Sequence, residues 1–203
     1  KGDFKAAAKD FADAERLRSA GLEHRVVLLS GIDEARDLAV LRELHVDSVI
    51  HHEYQLGLLE RTPMAGTLSV WIKLDTGMHR LGFAPEQARR AYERLRALRH
   101  VGEIRWMTHF ASADEHDRES TEAQMARFQQ AIAELPGERS LANSAALQAF
   151  PASHGDWVRP GGMLYGLSTF AQRSGADLGL RPAMALSTRL ISIQQLAEGD
   201  RVG

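Results

Sequence analysis

The run Leu68-Ser69-Val70-Trp71-Ile72 is apolar but for one serine, and three of its residues are β-branched or aromatic. A run of that kind reads as a strand buried on both faces. Such a strand belongs in a parallel sheet covered by helices, which narrows the choice of fold at once. The strand then meets Lys73, Asp75, Thr76, His79 and Arg80. Ligands in α/β folds gather at the carboxyl ends of parallel strands, so this burst of charge marks a candidate site. Gly77 and Gly82 let the backbone turn there. Pro85 opens a helix expected over 86–98, where its missing N–H costs nothing.

The rest of the chain repeats the pattern. Helices are expected over 4–20, 33–44, 52–60, 121–135 and 144–150. Strands are expected over 26–29, 46–50, 68–75, 104–110, 139–143 and 157–165. In the first helix Phe4, Ala8, Phe11, Ala14 and Leu17 share one face, and Gly21 stops it. β followed by α about five times over means a parallel sheet wrapped by helices, either open and doubly wound or closed as a (β/α)8 TIM barrel. Six strands fall short of the eight a barrel needs, and the shortage lies at the front. After Arg173-Ser174-Gly175 the pattern changes, and Met184 to Ile193 alternates like a strand with one exposed face. Two units are therefore expected: 1–175 as a partial barrel, and 176–203 as the first strand of a β-rich domain.

The 203 residues, 44% of them hydrophobic, suffice for one substantial core. The net charge of −2 is spread over interspersed acids and bases, which argues against nucleic acid as a partner. There is no cysteine, hence no disulfide framework or thiolate chemistry. No apolar run has the length of a membrane span. The N-terminus, Lys1 to Arg18, is charged throughout, so no signal peptide is read there and a cytoplasmic location is expected. His51 and His52 are adjacent on a strand and point to opposite faces, so they do not form a metal site with Glu53.

Taken singly, the candidate site residues have ordinary readings. Lys73 and Asp75, two apart, point to the same side and could form a strand-end salt bridge. His109 could be a satisfied core histidine. Asn143-Ser144 could be a helix N-cap. Arg159 could be a surface arginine on a sheet edge. Together they carry a resemblance. Lys73-Leu-Asp-Thr-Gly-Met-His-Arg-Leu-Gly-Phe83 resembles the signature of the alanine racemases, which are pyridoxal 5'-phosphate enzymes. Three later segments resemble the same family in the same order: Met107 to Ala111 with Ala113-Asp114-Glu115, Ser140 to Ala146, and Asp156 to Gly166. The resemblance runs from about Ala14 to the end.

The resemblance implies a (β/α)8 barrel holding the cofactor, with L- and D-alanine as substrates and a homodimer sharing its active sites. Lys73 would be carbamylated and would fix Arg80 by charge-assisted hydrogen bonds. Arg80 would hold the cofactor's phenolic oxygen and the substrate carboxylate. His109 would lie near the cofactor ring, and Asp114 on the path by which substrate reaches it. Asn143, Ser144, Gly161 and Gly162 would surround the phosphate, using free N–H groups at a helix start. Arg159 would face the pyridine nitrogen and leave it unprotonated.

Racemisation at Cα needs two bases on opposite faces of the substrate. In the family one is the cofactor lysine of a K-A-x-A-Y-G-H-G segment, and the other is a tyrosine of the second domain supplied by the partner. Lys1, Lys5 and Lys9 match nothing in the first, and the chain reaches Val202-Gly203 without the second. No catalytic base is therefore expected within these residues, and this chain alone is expected to be inactive. A racemase of another amino acid and a non-catalytic cofactor-binding barrel are the alternatives. The product D-alanine would serve peptidoglycan building, or be consumed in alanine catabolism.

Overall fold

The computed structural model describes residues 4–115 and 118–201, with side chains from residue 11 onward. Lys1, Val202, Gly203 and the side chains of Phe4, Lys5, Ala8 and Lys9, named above, lie outside the described residues.

Six strands form one sheet in chain order, and every neighbouring pair is parallel. They are β1 (Val26–Leu28), β2 (Val46–Ile50), β3 (Leu68–Lys73), β4 (Val101–Met107), β5 (Arg139–Asn143) and β6 (Trp157–Arg159). Between and around them run α1 (Phe4–Ser19), α2 (Ala35–Glu43), α3 (Glu53–Arg61), α4 (Ala88–Arg96), α5 (Arg118–Ala131), α6 (Ser144–Ala149) and α7 (Gly161–Leu164). A flat sheet would hold β1 and β6 about 24 Å apart, at the usual strand spacing. Yet the guanidinium of Arg25, next to β1, lies 5.9 Å from the ring of Trp157 at the start of β6. The rings of Trp71 and Trp157, three strands apart, meet edge to face at 5.9 Å. The sheet is curled into part of an incomplete TIM barrel.

Period-two alternation sorts the two faces. Ile50, Val70, Ile72, Trp106 and Leu141 join the helices in the main hydrophobic core. Val49, Trp71 and Met107 form a smaller cluster on the concave side, with Val27 against it. That face is also polar. Arg105, 3% exposed, pairs there with Asp47, Glu103 and Glu138.

Several elements differ from expectation. The strand expected over 157–165 ends at Arg159, because Pro160 has no N–H for the ladder and Gly161 begins α7. Met184 to Ile193, expected as a strand, is no strand. No ladder partner for it exists among the described residues, and Leu186, Leu190 and Ile191 stand exposed. The helix expected over 121–135 begins at Arg118, and the one expected over 86–98 starts as a 3-10 turn at Pro85–Gln87. No helix among the described residues is long and apolar enough to cross a membrane.

Candidate active site

β3 places Lys73 on the concave face at its last position, in register with Met107 of β4. The chain then leaves the sheet in a loop whose two ends are stitched together. Asp75 N–H donates to Phe83 O at 2.8 Å, and Phe83 N–H donates to Lys73 O at 2.9 Å. The close return requires a glycine: a Cβ on Gly82 would sit 2.5 Å from Asp75 N, and its φ of +137° disfavours any other residue. Inside the loop, Asp75 Oδ1 accepts from the amides of Gly77 and His79, each at 3.0 Å. Burial acts to raise the Asp75 pKa, but these amides outweigh it and hold the carboxyl below its ordinary value. Arg80 stands exposed at the loop tip, and among the described residues no carboxylate pairs with it.

Arg159, at the end of β6, is half-buried and firmly held. Its guanidinium donates to Thr108 O at 2.6 Å, to Leu141 O at 3.1 Å and to Ser140 Oγ. It is thus no free surface arginine, but a cation pinned under the ends of β4 and β5. Burial lowers its pKa to about 10, so it stays charged at neutral pH.

These cations act on one another. Lys73, 8% exposed, has its pKa lowered first by burial, then by Arg80 and Arg159, with Asp75 opposing. His109 follows β4 and is lowered to about 4, by burial first and then by Arg159, Lys73 and Arg80. Lys73, Arg80, His109 and Arg159 therefore gather at one end of the sheet, with excess positive charge. The strand-end salt bridge of Lys73 with Asp75, the ordinary reading of that pair, does not form among the described residues, although the carboxylate does support the lysine's charge.

β5 delivers Asn143 and Ser144 to the same strand ends. Asn143 is the N-cap of α6, its Oδ1 accepting from Ala146 N–H at 2.9 Å, which is the ordinary reading of this pair. Ser144 is buried, and its Oγ accepts from Met163 N–H at 3.3 Å. This bond joins α6 to α7. A Cβ on Gly162 would come within 3.9 Å of Ser144 Oγ, while Gly161 faces open space. Asp114 is exposed and, with Arg118, Phe150, Phe170 and Arg173, borders a cleft of about 700 Å³ that Lys73, Arg80, His109 and Arg159 do not line.

Sequence reasoning passed over Ser140, which takes part in fixing Arg159, and Thr108, whose carbonyl does the same. It also passed over Gln124 of α5, which is 1% exposed and bonds to the loops after β3 and β4. Only apolar spacing was legible in α5, so a polar residue turned inward gave no signal. His51 and His52, expected on a strand, follow the end of β2 instead, and their rings go to different partners. His51 Nε2 lies 2.9 Å from Ser30 O, whereas His52 Nδ1 caps α3 by accepting from Tyr54 N–H at 3.1 Å.

A family profile described as "Alanine racemase, N-terminal domain" matches residues 5–169. The alanine racemase of Shewanella loihica is 46% identical over 192 residues, covering 94% of this chain and 54% of that protein. The structure of biosynthetic alanine racemase from Pseudomonas aeruginosa superposes with a TM-score of 0.87 at 42% identity, over 94% of this chain and 53% of that one. Alanine racemase from Acinetobacter baumannii gives 0.82 at 33% identity, over 95% and 54%. The chain spans about half the length of the relatives it matches.

Proposed function

Because the chain belongs to the alanine racemase family, over that family's N-terminal domain, we propose that it forms the cofactor-holding part of an enzyme interconverting L- and D-alanine. The gathering of Lys73, Arg80, His109 and Arg159 with little opposing charge carries this reading. A site so charged suits a ligand with a phosphate and a carboxylate, and pyridoxal 5'-phosphate with its amino-acid substrate brings both. The cofactor would supply a sink for the electrons left when the substrate loses its α-proton.

The chain's own residues divide the work. Ser144, with the backbone N–H groups beside Gly161 and Gly162, would bind the phosphate, and Asn143 holds that helix start in place by its cap. Arg159 would face the ring nitrogen, its guanidinium already oriented by three acceptors. A permanent cation there donates hydrogen bonds and offers the nitrogen no proton at neutral pH. His109, neutral at that pH, would pack by the ring without competing for the phosphate. Arg80 would take the substrate carboxylate and the phenolic oxygen. Asp114 would lie on the substrate's way in.

Lys73 supports the carbamate reading. Its lowered pKa raises the fraction of free amine, the form that attacks carbon dioxide. The nitrogen pair forms an N–C bond, a C=O pair moves to oxygen, and the nitrogen loses a proton. The resulting anion would replace one cation of the cluster and anchor Arg80. The two bases would come from outside these residues, one of them from a partner subunit. Residues 176–203 would open the second domain. The test is racemisation of L-alanine by the intact enzyme with added pyridoxal phosphate. We expect D-alanine to form, Arg159→Leu to reduce it by more than tenfold, and the chain alone to form none. An intact enzyme inert toward alanine would overturn the reading. Bicarbonate labelled with carbon-13 should give a carbamate signal that Lys73→Met abolishes.

A further inference from the structure

The loop that carries Arg80 and the segment that carries His109 are separate in sequence and meet on one side chain. Gln124 lies on α5 and is almost wholly buried. Its Oε1 accepts from Ala111 N–H at 3.0 Å. An amide N–H can only donate, so this bond fixes which end of the Gln124 side chain is which. Its Nε2 then donates in two directions, to His109 O and to Thr76 Oγ1, each at 3.3 Å. Thr108 Oγ1 donates to Leu74 O at 3.0 Å. The Thr108 hydroxyl has only that one proton, so across the 2.8 Å contact Thr76 must be the donor. The bonds therefore run one way, from the Gln124 amide through the Thr76 and Thr108 hydroxyls to the Leu74 carbonyl. Chains of this kind strengthen their members, and all three side chains are buried and satisfied.

Arg127, one turn further along α5, donates to Thr76 O. The helix thus presses close to the loop. A Cβ on Gly77 would meet Arg127 Nη1 at 2.8 Å and Gln124 Cγ at 3.3 Å. The loop is stitched to the sheet at its two ends, by Asp75 and Phe83, and to α5 near its start. Arg80 itself has no ion pair among the described residues. Its place is set by the loop.

We propose that Gln124 is a positioning residue: its amide locks the Arg80 loop to the His109 segment and so sets the spacing at which the two meet an anionic ligand. Gln124 touches no reacting atom. Its effect on the pyridoxal phosphate site rests on the function proposed above; its locking of the two segments does not.

The experiment compares the intact enzyme with Gln124→Met, which keeps the length of the side chain and removes its hydrogen bonds. Two readings need no ligand. Hydrogen exchange should quicken roughly tenfold or more in 75–83 and 108–113, since three bonds of ordinary strength are lost. The His109 imidazole, followed by nuclear magnetic resonance, should titrate above its starting value of about 4, because burial presses on it less, and the cations around it, Arg80 among them, stand less closely. A loss of stability alone would not move that midpoint in the folded protein. The third reading is pyridoxal phosphate affinity, expected to weaken severalfold. If Gln124→Met does not fold, Thr76→Val is read in the same way, and Thr76→Ser should restore wild-type behaviour. Unchanged exchange and an unchanged His109 midpoint in a folded variant would overturn the proposal. If both move but neither protein binds pyridoxal phosphate, the lock stands and the proposed function falls.

Discussion

His109 shows how one residue's setting becomes a property of the whole protein. In an unfolded chain its pKa would be the ordinary 6.5, whereas in the fold it is about 4. Between those values the unfolded chain binds a proton that the folded one refuses, so stability rises with pH across that window. The contribution is complete above about pH 6.5 and is lost as pH falls toward 4. His109→Gln removes the titration. The stability difference between wild type and variant, read from urea unfolding, should therefore be flat above pH 7 and change steadily between pH 6.5 and 4. A difference independent of pH would mean that His109 titrates alike in both states. Lys73 was legible in the sequence because strand period and strand-end position suffice to aim it inward, whereas Arg159 read on its own as a surface arginine, its three acceptors lying on Thr108, Ser140 and Leu141 far back along the chain. The charge state of His109 was not legible either, because its burial, and the approach of Arg159, Lys73 and Arg80, are set by parts of the chain far from it in sequence.

Elements were legible where one local signal was enough. The two-faced burial of β3 is written in Leu68 to Ile72, and the start of the following turn in Pro85. The expected strand through Tyr165 failed because Pro160 interrupts the apolar run, and a prolonged ladder needs every N–H. Met184 to Ile193 shows the converse: alternation alone does not make a strand without a partner. At the β5–α6 junction one residue serves both stability and site. Asn143 caps α6 through Ala146 N–H, and Ser144 follows it into the site. Asn143→Ala should cost about 1 kcal/mol, the usual effect of losing such a cap, and Asn143→Asp should retain most of it. Urea unfolding of both variants decides. A neutral Asn143→Ala would show that α6 is held by packing and by the Ser144–Met163 bond instead.

At the scale of the molecule the curl depends on contacts no local signal announces. Arg105 in Val-Gly-Glu-Ile-Arg-Trp-Met looks like part of an ordinary charged strand face, yet it is among the most buried charges described. Its partners come from β2 (Asp47, 3.3 Å) and from the residue before β5 (Glu138, 2.6 Å), with Glu103 on its own strand. Glu138 also accepts from Trp157 Nε1 at 2.8 Å, and Asp47 from Trp71 Nε1 at 3.3 Å. Arg25 joins β1 to the set through Asp47 and Glu103. One guanidinium thus links groups spread across the concave face, from β2 to the start of β5. Burial already raises the Asp47 pKa, with Arg25 and Arg105 holding it down. Arg105→Met would leave that carboxylate buried with a weaker partner, and removing one member of a buried pair costs about 3–5 kcal/mol. The double variant Arg105→Met/Asp47→Leu removes the stranded charge as well, and should recover much of the loss. If instead the two substitutions add, the attraction between Arg105 and Asp47 is not what couples the strands, and the link from Arg105 to Glu138 is the next to cut.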